Sequence, residues 1–223
     1  MKTIVITGGS DGLGKALAEK LAAENKVIIL ARMEAALHKI AVESGCDYYV
    51  CDVRDAKQVT STFDKISKEH GRIDVLINNA GVIVNGELVN IPDDSIENVI
   101  ATNTLGTIYA AKAALTRMKQ QREGLIINVV STAGITAKAT RSIYNASKWA
   151  ITGFTKALQE EAAEYNVRVT GFYPGTIRTN LFAKAGLPLN GKALTTEQAV
   201  KAIEFVLSCD DEVLVPEIGV KSL

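Results

Sequence analysis

Thr3-Ile4-Val5-Ile6-Thr7-Gly8-Gly9-Ser10-Asp11-Gly12-Leu13-Gly14 stands at the very start of the chain. A short β-branched, apolar run enters a turn rich in glycine, and the turn enters a helical stretch, Leu13–Ala23. Strand, glycine turn and helix in that order make the first unit of a dinucleotide-binding fold. Gly8, Gly12 and Gly14 allow the sharp turn and let the backbone approach a pyrophosphate, and Ser10 and Leu13 lie in the same turn. The helix that begins near Leu13 adds unpaired N–H groups and the positive end of its dipole. The spacing is Gly-x-x-x-Gly-x-Gly rather than the commoner Gly-x-Gly-x-x-Gly. A turn shaped only for packing is the bland alternative, and the strand-turn-helix context disfavours it.

Beyond this unit the chain keeps alternating. Strands are expected at Thr3–Thr7, Lys26–Ala31, Tyr48–Cys51, Ile73–Asn78, Leu125–Ser131 and Arg168–Tyr173. They are apolar without strict alternation, as strands buried on both faces of a parallel sheet are. Helices are expected at Leu13–Ala23, Glu34–Ser44, Ala56–Glu69, Asp93–Gln121, Ile143–Glu164 and Thr196–Ser208. The order implies an α/β fold: a single doubly wound Rossmann-type domain over 1–223, with a parallel sheet flanked by helices. No linker, repeat or low-complexity tract divides it.

Composition removes several classes of function. The 223 residues carry 25 Lys+Arg and 25 Asp+Glu, so no net field recruits nucleic acid or a membrane surface. No apolar run is long enough to span a bilayer. Cys46, Cys51 and Cys209 form neither a disulfide framework nor a metal spacing, and Cys46 and Cys51 read as buried thiols at the ends of a strand. His38 and His70 read as surface residues without ligand-like neighbours. The expected setting is the reducing cytoplasm.

Two more stretches carry chemistry. In Tyr144-Asn145-Ala146-Ser147-Lys148 a phenol and an ammonium stand four positions apart, on one face of a helix. A positive charge nearby is expected to lower the phenol's pKa, so that Tyr144 exchanges a proton with a substrate oxygen near neutral pH. At Leu30-Ala31-Arg32-Met33 the second strand ends without the acid that NAD sites often place on the ribose 2′-OH. The planar fork of Arg32 suits a 2′-phosphate, although a solvated arginine at a helix start is the plainer alternative. Asp11, in the glycine turn, does not help an extra phosphate to bind. The balance favours NADP, with NAD possible.

With the glycine turn, Asn78-Asn79-Ala80-Gly81, Ser131 and Tyr144/Lys148 in this order, the chain resembles a short-chain dehydrogenase/reductase from the first strand to about Thr179. The resemblance implies that Asn79, Ala80 and Gly81 lie on the adenosine side of a cofactor, and that Asp52, with Val53 after it, contacts adenine. It implies a catalytic set of Asn103, Ser131, Tyr144 and Lys148, with Asn103 followed by Gly106 and anchoring a water relay to Lys148. Pro174 and Gly175, with Thr176 and Thr179 following, match the family's segment near the nicotinamide. The tail departs from longer members: a brief Leu181–Leu189 segment stands for their lid, and the chain stops after Val213–Ile218 without their Gly-rich final strand.

The expected chemistry is hydride transfer between a nicotinamide cofactor and a small to medium carbonyl or alcohol compound. Tyr144 serves as general acid in reduction and base in oxidation, and Ser131 hydrogen-bonds the substrate oxygen as charge develops. Pocket walls are expected from Gly134–Lys138, Val82–Val84 and Leu181–Leu187. Lys138 and Arg141 either attract a carboxylate or are solvated loop charges. An epimerase or dehydratase, or an idle nucleotide-sensing protein of the same fold, are the alternatives. Small apolar stripes, Ala146/Ala150/Gly153/Ala157 and Ala110/Ala111/Ala113/Ala114, point to a homodimer or homotetramer.

Overall fold

The protein is described from a computed structural model, for residues 1–189 and 191–223. Seven strands form one parallel sheet: β1 Thr3–Thr7, β2 Lys26–Ala31, β3 Asp47–Val50, β4 Val75–Asn78, β5 Gly124–Val129, β6 Val167–Pro174 and β7 Glu217–Val220. Their spatial order is β3-β2-β1-β4-β5-β6-β7. The helices are α1 Gly12–Leu21, α2 Glu34–Ser44, α3 Ala56–His70, α4 Asp93–Val99, α5 Gly106–Gln121, α6 Ser142–Ala163, α7 Asn180–Lys184 and α8 Thr196–Ser208.

Strand period sets the two layers. Ile4, Ile6, Val27 and Ile29 point to one face, where they bury against Leu17 and Leu21 of α1, Leu37 of α2 and Ile203 of α8. Val5, Ile28 and Leu30 point to the other, against Phe63 and Ile66 of α3, the alanines of α5 and Leu158 of α6. The inner strands β1, β2 and β4 to β6 are therefore buried on both sides, as their sequence suggested. Helix starts are chemically marked. Asp11 and Asp55 accept from first-turn N–H groups of α1 and α3, and Thr195 with Gln198 closes a capping box on α8.

Four expectations need correction. First, the tail does make a final strand: β7 pairs in parallel with β6 from Gly171↔Glu217 to Pro174↔Val220. It is a short edge strand, half exposed, entered from Pro216 and interrupted by Gly219, so it lacks the apolar run that marks the others. Second, the helix expected over Asp93–Gln121 is not uniform. A π-helical turn, Ile100–Leu105, is inserted between α4 and α5. Third, Ala110, Ala111, Ala113 and Ala114 are buried within the chain, where their small side chains let α5 lie close to the sheet. They offer no surface to a second copy. The α6 stripe of Ala146, Ala150, Gly153 and Ala157 is exposed. Fourth, His70 is not a free surface residue: its side chain is 13% exposed and its Nε2 lies 3.3 Å from the Tyr49 hydroxyl. His38 is exposed, and Cys46 and Cys51 are buried, as expected. Among the described residues no helix is long and apolar enough to cross a membrane.

Candidate active site

The strand order reverses between β1 and β4, and a cleft of about 510 Å³ opens there along the C-terminal ends of the strands. Of the residues picked from the sequence, all but Gly14 and Asn103 line it.

Main chain shapes the end over β1 to β3. Gly8 and Gly12 hold φ of +68° and +55°, a conformation that side chains disfavour. Gly14 lies behind them, where a Cβ would collide with the Gly8 carbonyl oxygen and the Asn79 amide. The Asn79 side chain braces the turn rather than pointing outward, donating to the carbonyls of Thr7 and Gly8 at 3.1 Å each. Thr7 completes the brace, its hydroxyl accepting from the N–H groups of Asn79 and Ala80. Sequence reading passed over Thr7, because it looked like the last residue of a strand.

At the tip of β2 the exposed Arg32 side chain makes no hydrogen bond or ion pair among the described residues. Its neighbour Asp52 is engaged. Arg54 grips the carboxylate from Nε and Nη2, which is the largest cause holding that carboxyl below its usual range. Val53 packs against Gly106, where a Cβ would sit 2.7 Å from Val53 Cγ2. The glycine thereby lets α5 approach the β3 loop.

A strap after β6 crosses toward the glycine turn. Gly175 N–H donates to Val220 of β7 at 2.7 Å, and Thr176 accepts from Leu194 N–H at 2.9 Å. Thr179 caps α7 and lies against Gly12. Asp11 is clasped by Lys184 at 2.6 Å and by Asn180 at 3.2 Å, both on α7. Burial pushes the Asp11 carboxyl up, but Lys184, the Gly12 N–H and Asn180 together outweigh it and hold it low. Asp11 is thus neutralised by the strap and not left as a free charge in the phosphate turn.

The end over β5 and β6 is made of side chains. Ser131 follows β5 with φ +101° and ψ 155°, a region normally left to glycine, and its hydroxyl accepts from Ala133 N–H at 3.2 Å. Tyr144 and Lys148 share one face of α6, with Lys148 Nζ 6.0 Å from the Tyr144 ring centroid. Both are almost fully buried, 7% and 6% exposed. Burial raises the Tyr144 pKa, while the Ser131 hydroxyl and the Arg141 charge pull it down. This reverses the expectation of a phenol lowered by Lys148. Desolvation of the phenol dominates, and the lysine's own pKa falls to about 8, also by burial. Lys148 Nζ donates to the Val129 carbonyl at 2.8 Å.

Asn103 sits in the π-helical turn, fully buried. Its side chain accepts from Val82 N–H at 2.8 Å and donates to the Val82 carbonyl at 2.9 Å and to Ser147 Oγ at 3.0 Å. It therefore ties the Asn79–Val82 segment to α6 from behind the cleft wall. A π turn often marks a functional position, and here it supplies Asn103, which joins the two segments.

Of the expected walls, Val82, Ile83, Thr136, Lys138, Leu181, Phe182 and Lys184 line the cleft. Gly134 is buried against α6, where a Cβ would meet Val130 and Thr152. Sequence reading missed Asn145. Its amide donates to the carbonyls of Ala133 at 2.8 Å and Thr136 at 2.7 Å, pinning the loop after Ser131 onto α6.

The family model described as short chain dehydrogenase matches residues 2–188. The chain belongs to the short-chain dehydrogenase family. Among curated relatives, this short-chain dehydrogenase is 36% identical over 182 residues to carbonyl reductase family member 4 of Xenopus laevis, covering 81% of this chain and 77% of that protein. It is 32% identical over 216 residues to the human 3-oxoacyl-[acyl-carrier-protein] reductase, covering 92% and 91%. Among solved structures, the alcohol dehydrogenase of the archaeon Thermococcus sibiricus, complexed with 5-hydroxy-NADP, superposes with a TM-score of 0.90 at 28% identity, covering 99% of this chain and 96% of that one.

Proposed function

We propose that this short-chain dehydrogenase is an NADP-dependent oxidoreductase acting on a small to medium carbonyl or alcohol compound, with Tyr144 as its general acid and base. The observation that carries the reading is convergence. Ser131, Tyr144 and Lys148 meet at one end of a cleft whose other end is a glycine cradle beside an uncommitted arginine. The residues fit NADP. Gly14 leaves no room for a side chain behind the turn, α1 offers its N-terminus, and the Arg32 fork is free for a 2′-phosphate. Gly8, Ser10, Gly12, Leu13, Gly14, Asn79, Ala80, Gly81, Asp52, Val53, Pro174, Gly175, Thr176 and Thr179 would shape the rest of that site. The alcohol dehydrogenase complexed with an NADP analogue supports the choice.

NADP(H) supplies the hydride when bound. The protein's own residues manage the oxygen. Burial keeps Tyr144 protonated at neutral pH, the form a proton donor needs in carbonyl reduction. The Ser131 hydroxyl stands beside the phenol and donates a hydrogen bond to the same substrate oxygen as negative charge grows. Lys148, charged below about pH 8, lies close enough to stabilise the phenolate that remains. Asn103 holds the cleft floor by fixing Val82 and Ser147. Both relatives are named reductases, which favours the reducing direction. An idle nucleotide sensor has no use for a strained Ser131 and a desolvated Lys148, each costly to keep. The buried free thiols suit a reducing compartment such as the cytoplasm.

The direct test follows NADPH consumption across a panel of aldehydes, ketones and oxo acids, with NADH as control. Faster consumption of NADPH with at least one carbonyl class is expected, and none with any class would end this reading. The exposed α6 stripe is the surface for a second copy in a homodimer or homotetramer, because a Cβ on Gly153 would meet nothing within the chain. Light scattering should give a multiple of 23.9 kDa. Ala150→Arg should reduce it to one, since the new charge would be buried unpaired. An unchanged mass in that variant would place the interface elsewhere.

A further inference from the structure

The reacting end of the cleft carries more positive charge than hydride transfer uses. Arg141 and Lys138 both line it, and neither makes an ion pair among the described residues. The two carboxylates among the described lining residues, Asp11 and Asp52, belong to the β1–β3 end and are already taken by Lys184 and Arg54. The phosphates of a dinucleotide do not account for these two cations. The glycine turn follows β1 and Arg32 follows β2, whereas Lys138 and Arg141 come after β5, and the sheet order sets those positions apart.

Arg141 is built in. It is half-buried three residues before Tyr144, and its charge acts on the phenol. Its guanidinium lies over the Phe182 ring, 5.5 Å from the centroid. Stacking of this kind fixes the plane of the fork and leaves its N–H donors free at the edge. Arg141 also precedes the first turn of a 22-residue helix and gives it no side-chain cap, so the positive end of α6 faces the same place. Lys138 is brought alongside by Asn145, which holds the loop after Ser131 against α6. The Arg141 N–H donates to the Lys138 carbonyl at 3.3 Å, which ties the two residues together through the main chain.

We infer that Arg141, assisted by Lys138, forms a carboxylate subsite beside the reacting oxygen, and that the preferred substrates are oxo acids reduced to hydroxy acids. The subsite rests on the reductase reading for its use. In the reaction the carbonyl carbon gains a hydride, the carbonyl π pair moves to oxygen, and that oxygen takes the Tyr144 proton. The carboxylate takes no part in bond making. It anchors the substrate so that the carbonyl meets Ser131 and Tyr144, and a planar carboxylate matches the two-pronged edge of the arginine.

The test compares pyruvate, acetoacetate and levulinate with their methyl esters, in the parent, Arg141→Gln, Arg141→Lys and Lys138→Gln. For at least one pair the parent should favour the acid over the ester by about tenfold or more in kcat/KM, in keeping with a charge-assisted fork. Arg141→Gln should cut that preference about tenfold, mostly through KM of the acid. Arg141→Lys should restore part of it, and Lys138→Gln should lower it less. Taking the acid-to-ester ratio removes any damage to Tyr144 that both substrates share. A ratio near one in the parent, or one untouched by Arg141→Gln, overturns the subsite while leaving the reductase standing. If nothing in the panel turns over, saturation-transfer NMR with butanoate decides the subsite alone. Transfer seen in the parent and lost in Arg141→Gln supports it, and equal or absent transfer refutes it.

Discussion

Over β1 to β3 the cleft is shaped by what is missing: side chains absent at Gly8, Gly12 and Gly14, and a backbone braced by Thr7 and Asn79. Over β5 and β6 it is shaped by what is forced in: Ser131 in a glycine-like conformation, a phenol and an ammonium both desolvated. The first end is relaxed and gives its function through backbone geometry. The second keeps groups in states that cost folding energy, so its function and its stability should pull in opposite directions. Substitutions at the two ends ought to behave differently, and that difference can be broken or sharpened.

The largest effect is expected at the strained end. Tyr144→Phe keeps the ring and removes the proton, and turnover should fall by roughly 10²- to 10⁴-fold, the range for a general acid. Cofactor affinity, measured by titration, should barely move. Near-parental turnover would take Tyr144 out of the chemistry and dissolve the contrast between the ends.

Lys148→Met comes next and should raise stability while it lowers activity. Burial depresses the Lys148 pKa from 10.5 to about 8, so the folded state carries a penalty for the charged form. That shift corresponds to about 3 kcal/mol at pH 7, an upper bound because Met also loses the hydrogen bond to Val129. The sign is fixed by proton binding. Between about pH 8 and 10.5 the unfolded chain holds more protons than the folded one, so parental stability rises with pH there. Denaturant unfolding should therefore show the variant ahead at pH 7, with the gap closing by pH 10.5. A variant less stable than the parent at pH 7 would mean that the lysine is not under strain.

The smallest effect belongs to the relaxed end. Arg32→Ala should weaken NADPH about tenfold and leave NADH nearly unchanged, with folding stability unaffected, because the guanidinium is exposed and unpaired. Equal losses for both cofactors would make Arg32 structural. Tighter binding of NADH than NADPH by the parent would undo the cofactor assignment.

The same contrast explains what could be read in the sequence. Glycines placed for backbone reasons announce themselves, so the β1 turn, the sheet and most element boundaries were legible from period and punctuation alone. The fitted side chains were legible as residue types but not as states. Nothing in Tyr-x-x-x-Lys says that desolvation outweighs the lysine's charge and raises the phenol, because that depends on how deeply α6 is covered. The π turn was hidden because helical periodicity over Asp93–Gln121 tolerates one locally wider turn without losing its apolar face. The last strand escaped because β7 is four residues long, half exposed and interrupted by Gly219. Thr7 and Asn145 were passed over for a common reason: each looks like an ordinary polar residue until the chain brings another segment to it.

The clasp between Asp11 and Lys184 has a kinetic meaning. It joins the glycine turn to the strap after β6, yet Lys184 is 67% exposed and Asp11 36%. Exposed ion pairs contribute at most about 1 kcal/mol, and salt weakens them further. By itself such a contact is undone roughly one part in six of the time, from the Boltzmann factor for that energy. The strap therefore crosses the mouth of the cleft on a fastening that adds almost nothing to the barrier for entry or exit. Exchange of spent for fresh nicotinamide should accordingly be nearly indifferent to ionic strength as far as this contact is concerned.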